Sequence, residues 1–64
     1  MADYTKDVIR IVRENKCFFV RHGKGDHDTW HSPITGKNFS IDGKIKDRHL
    51  ANLVMKQAGI NHKF

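Results

Sequence analysis

The chain has 64 residues, 38% of them hydrophobic and 30% charged, enough for one domain over 1–64 with a thin core and any active site shallow. Such a composition excludes a disordered chain. Twelve Lys and Arg against seven Asp and Glu give a formal charge of +5 before five histidines are counted, which points to a polyanionic partner, nucleic acid first. A membrane surface is disfavoured, because no stretch reads as a basic amphipathic helix with large apolar residues opposite.

In chain order, Met1 to Asp3 read as a loose end, and Thr5 reads as the N-cap of a helix with Asp7 in its first turn. Val8, Ile9, Ile11 and Val12 form the apolar stripe, and the helix should stop near Asn15 or Lys16, with Asn able to take a left-handed cap position. Cys17 to Arg21 is a short run of strand formers ended by the His22-Gly23 turn signal. His27 to Ser32 is a second strand stopped by Pro33, Ile34 to Lys37 a hairpin turn, and Asn38 to Ile41 a third strand. Asp42-Gly43 reads as a turn dipeptide. A second helix should start at Asp47 as N-cap and run to Ala58, with Leu50, Leu53, Val54 and Ala58 as its apolar stripe. Gly59 is the stop and Ile60 folds back on the last turn; Asn61 to Phe64 form a tail. The expected class is α+β: helix, three-stranded antiparallel sheet, helix, with both helices on one sheet face, the order of double-stranded-RNA-binding-like domains. Cys17, the single cysteine, cannot form an internal disulfide and reads as a small buried hydrophobe. With no signal peptide or spanning segment visible, the expected compartment is the reducing cytoplasm.

The stretch from Gly23 to Pro33 carries the chemistry. Glycine lets a backbone approach a phosphate or take positive φ, so Gly23 and Gly25 around Lys24 read as a phosphate-gripping turn. Histidine is the residue type whose ordinary charge change falls near neutral pH, so His27 suits proton transfer from a ribose 2′-OH, and this chemistry needs no metal or other cofactor. A two-histidine mechanism with His31 is disfavoured, since residues four apart on a strand lie about 13 Å apart. Asp26 is expected to cap backbone N–H groups of the turn, and Asp28 to face away from His27; a metal site built from these acids with His22 and His27 is disfavoured. Arg21, Lys37 and Lys44 sit near turns around His27 and, with Lys24 and Gly25, form the candidate phosphate contacts. Trp30 belongs under the helices, and at least two of Phe18, Phe19 and Phe39 should be core.

The Gly25-Asp26-His27 element followed by strand residues and Pro33, together with the closing Met55-Lys56-Gln57-Ala58-Gly59-Ile60, resembles the HicA toxins, small mRNA interferases of bacterial toxin–antitoxin pairs. The likeness spans Thr5 to Ile60. Lys16 and Cys17 stand where that family commonly has a glycine and a large aromatic residue. The resemblance implies that His27 is the catalytic residue of a ribosome-independent endoribonuclease acting on mRNA. It also implies inhibition by a HicB-type antitoxin, in a pair that can bind its own operator DNA. The alternative from another class is a non-catalytic RNA-binding module on the same fold, which would have no chemical reason to place a histidine behind Gly25.

Overall fold

The computed structural model describes residues 3–64 and folds them as α1 (Thr5–Glu14), β1 (Phe18–His22), β2 (His27–Ser32), β3 (Lys37–Asp42) and α2 (Arg48–Ala58). The strands form one antiparallel sheet in the order β1-β2-β3, with both helices on one face. Of the expected loose end, Met1 and Ala2 lie outside the described residues, whereas Asp3 has a defined job. Its carboxylate accepts the Thr5 N–H at 3.0 Å, and that backbone hydrogen bond holds the Asp3 carboxyl below the usual carboxylate range. Thr5 is therefore not the N-cap: Tyr4 occupies that position without a side-chain cap bond. The Thr5 hydroxyl is committed elsewhere, accepting the Ile45 N–H at 2.8 Å, while the Tyr4 N–H donates to the Ile45 carbonyl at 2.7 Å. These two bonds pin the loop after β3 to the start of α1, with the Ile45 side chain fully buried.

At the other end of α1 the left-handed position falls one residue later than Asn15. Asn15 keeps φ −96°, its side-chain amide donating to the Ile11 carbonyl at 2.8 Å, and Lys16 takes φ +71°. A side chain at such a φ is strained, and this is the position at which the resemblance expects glycine.

The β2–β3 hairpin sets the register. Ser32 pairs with Lys37 across the Pro33–Gly36 turn, and Gly36 adopts φ +71° to close it. Side chains alternate strictly from there. Trp30 with Phe39, and Ile41 beside Asp28, face the helices, where they meet Val8, Val12, Val54, Met55 and Ala58 in one core. Of Phe18, Phe19 and Phe39 only Phe39 is buried; Phe18 is 54% and Phe19 43% exposed. The cause is lateral, because α2 packs on β3 and α1 on α2, so the edge strand β1 is left thinly covered. Phe19 leans edge-on against Trp30 at 6.2 Å instead.

Helix α2 starts as expected, with the Asp47 carboxylate accepting the His49 N–H at 2.9 Å. It ends at Gly59 with φ +75°, and the Ile60 N–H returns to the Met55 carbonyl at 2.9 Å. Its buried stripe is rotated from the expected one: Ala51, Val54, Met55 and Ala58 face the core, while Leu53 is 47% exposed and Leu50 half-buried. Both stripes have helical spacing and share Val54 and Ala58; Ala51 and Met55 take the buried places expected of Leu50 and Leu53. Ser32, fully buried on β2, donates its hydroxyl to the Ala58 carbonyl at 2.6 Å and ties the last turn of α2 to the sheet.

Ser32→Ala leaves that carbonyl unpartnered and should lower stability by about 1–3 kcal/mol, read as a lower urea midpoint at unchanged m-value. Lys16→Gly should act oppositely, raising stability by about 0.5–1 kcal/mol as the left-handed penalty of the side chain outweighs the added chain entropy of glycine.

Candidate active site

The turn between β1 and β2 is closed by backbone hydrogen bonds, Gly23 N–H to the His27 carbonyl at 2.7 Å and His27 N–H to the Lys24 carbonyl at 3.2 Å. They do the work expected of the Asp26 carboxylate. The two glycines have different duties. A Cβ on Gly23 would stand 2.9 Å from the His27 carbonyl oxygen, whereas Gly25 is free of neighbours and supplies φ +61°. Close approach at one position and a left-handed turn at the other together deliver His27 as the first residue of β2.

From that start His27, Thr29 and His31 lie on the sheet face away from Trp30 and Phe39, beside Asp42, Ser40 and Asn38 of β3. Asp42 is the direct cross-strand partner of His27, and its Oδ1 lies 2.6 Å from the His27 Nδ1. A carboxylate there favours a proton on Nδ1 and leaves the Nε2 lone pair free to take another; the tautomer follows from the contact rather than from an observed hydrogen. The ring is not enclosed: the His27 side chain is 54% exposed and that of Asp42 31%. Beside them, where α2 packs along the edge strand β3, lies a groove of about 510 Å³. It is lined by His27, Thr29, Ser40 and Asp42 of the sheet, by Gly23 and Lys24 of the turn, and by Leu50, Leu53, Val54 and Gln57 of α2.

Lys24 and His27 thus meet in one groove. Arg21 reaches the same face by a less regular route. The β1–β2 register shifts between Phe19 and Arg21, so that Phe19 pairs with Trp30 and Arg21 with Thr29. The extra residue, Val20, turns Arg21 from the helix side to the His27 side, as bulges beside functional sites do. Among the described residues neither Lys24 nor Arg21 enters an ion pair, leaving both charges available to an anion. Lys37, by contrast, pairs with Ser32 at the far end of the sheet, about 17 Å from His27 along the strand, and Lys44 follows β3 in an exposed loop.

The remaining acids and histidines are held apart from the groove. Asp28 faces away from His27 and contacts the His22 Nδ1 at 2.9 Å; the His31 Nδ1 meets the Asn38 side-chain oxygen at 2.7 Å, with Phe18 beside the ring. No group of three or more His, Cys, Asp or Glu side chains is set to hold a metal ion among the described residues. Asp42 is the partner of His27 that the sequence hides, because Asp-Gly reads as a turn. Counting outward from the hairpin would have found it: Asp42 lies as far beyond Lys37 as His27 lies before Ser32.

No protein-family model matches the chain, and neither curated proteins nor solved structures give a significant match. Among the described residues no helix is long and apolar enough to cross a membrane.

The Asp42 contact makes a spectroscopic prediction. Long-range ¹H–¹⁵N spectra of the wild-type protein at pH 8 should show His27 protonated on Nδ1, and Asp42→Ala should convert it to a mixture dominated by the Nε2–H form.

Proposed function

We propose that this chain is a HicA-type endoribonuclease toxin that cuts mRNA, with His27 as general base. The observation that carries the reading is the His27–Asp42 pair, open to solvent in a groove that Gly23 and Lys24 also line. Lys24 and Arg21 hold the phosphate by charge, fixing the strand without reading its sequence. The Nε2 of His27 takes the proton of the ribose 2′-OH, and the oxygen attacks the adjacent phosphorus. The P–O5′ bond breaks, the 5′-oxygen leaving with a proton from Lys24 or from water. The products are a 2′,3′-cyclic phosphate and a 5′-OH, and no redox partner enters. Asp42 keeps the ring oriented and stabilises the imidazolium as it forms, a positioning role that depends on the cross-strand register.

The groove also suits inhibition by occlusion. A HicB-type antitoxin laid over His27 would silence the enzyme in the cytoplasm, where its mRNA substrate is found, and the pair could assemble on its operator DNA.

Purified protein should cleave single-stranded RNA in the presence of EDTA. His27→Ala should reduce the rate by about 10²–10⁴-fold, the usual contribution of a general base, and abolish growth arrest on expression. Asp42→Asn should lower kcat more than it raises KM. Intact RNA, bound with steep salt dependence and indifferent to His27→Ala, would instead identify a passive RNA-binding module.

A further inference from the structure

The α2 wall of the groove has a chemistry that phosphate binding and proton transfer leave unused. Leu50, Leu53 and Gln57 recur at helical spacing on one flank of α2, beside the stripe that faces the core. Val54 closes the base of that flank. Leu53 is 47% exposed. A lone exposed leucine needs no explanation, but this one lines the same groove as His27 and Lys24.

We propose that this flank is a nucleobase subsite, and that the substrate is therefore RNA with an unpaired, unstacked base next to the cut. The inference rests on the ribonuclease reading and extends it. A nucleotide has an anionic end, a polar sugar and a flat, weakly polar base face, and the groove offers complements to these. Lys24 would take the phosphate, His27 and Asp42 the sugar hydroxyl, and the side chains of Leu50, Leu53 and Val54 a base face, all of them lining the one groove. The volume of about 510 Å³ falls within the roughly 300–1,000 Å³ of pockets that enclose small ligands. Gln57, one turn beyond Leu53, carries a donor and an acceptor on one amide, the equipment for reading a base edge. Within an A-form helix base faces are stacked and hidden, so only a single strand, loop or bulge can present one here. The cationic rim makes an RNA occupant a better match than an apolar protein segment, which would gain nothing from Lys24.

The test pairs a missing base with a missing side chain. The substrate is a single-stranded RNA oligonucleotide with a mapped cut, compared with versions carrying an abasic ribose on either side of that cut. For the wild-type chain one abasic substitution should raise KM by about tenfold, as expected for a base buried against aliphatic carbon. In Leu53→Ala, KM for the intact strand should already be raised by about fivefold to tenfold, and removing the same base should add little, because the two changes delete one contact. Leu53→Met should restore most of the wild-type KM, and Gln57→Leu should flatten the base preference beside the cut. Leu53 is exposed, so these variants keep the fold. Equal abasic penalties in wild type and Leu53→Ala would overturn the subsite, leave the nuclease standing and release the flank to a protein partner. Absence of any cleavage by the wild type would remove both.

Discussion

The register of the β2–β3 hairpin is the constraint on which the rest of the molecule depends. One pairing frame places Trp30 beside Phe39 under the helices and His27 beside Asp42 on the opposite face. Because side chains alternate, a slip by one residue would expose the core and bury the polar face together. Core packing and site assembly are thus specified by the same set of backbone hydrogen bonds. In so small a chain this economy is needed, since no separate scaffold is available to hold a carboxylate against a histidine.

Helix α2 has a similar double duty. Its small residues, Ala51 and Ala58, let it approach the sheet, and Ser32 fastens its last turn. With Ala51 and Met55 facing the core, Leu50 and Leu53 fall to the flank that lines the groove. Had the leucines faced inward, the core would be larger and the groove would lose its apolar wall. The balance struck leaves a thin core, supplemented by the tail, where the Phe64 N–H bonds the Asn52 side chain at 2.7 Å and the Phe64 ring meets Tyr4.

Local signals in the sequence were read correctly where one residue type has one dominant use. Pro33 ended β2, Asp47 capped α2, Gly59 closed it, and Trp30 was assigned to the helix side. The failures arose where two uses compete. Thr5 has the chemistry of a cap, but its hydroxyl serves Ile45. Asn15 can adopt the left-handed conformation, yet its amide bonds Ile11 and passes the strain to Lys16. The two apolar stripes of α2 differ by a rotation that only the opposing sheet surface decides. In the candidate site, the meeting of Lys24 and His27 in one groove is legible because glycines bracket the turn. Asp42 was hidden by its Asp-Gly context, and Lys37 was included on sequence proximity although the hairpin carries it to the far end.

The bulge at Val20 has a consequence apart from aiming Arg21. Strand β1 is an edge, and its Phe18-Phe19-Val20 run leaves apolar side chains in solvent. A flat ladder of unpaired amides beneath such a run invites strand-by-strand stacking between molecules. The kink breaks that ladder midway and sets a guanidinium directly after it, so a second copy arriving at the edge meets misaligned carbonyls and a like charge.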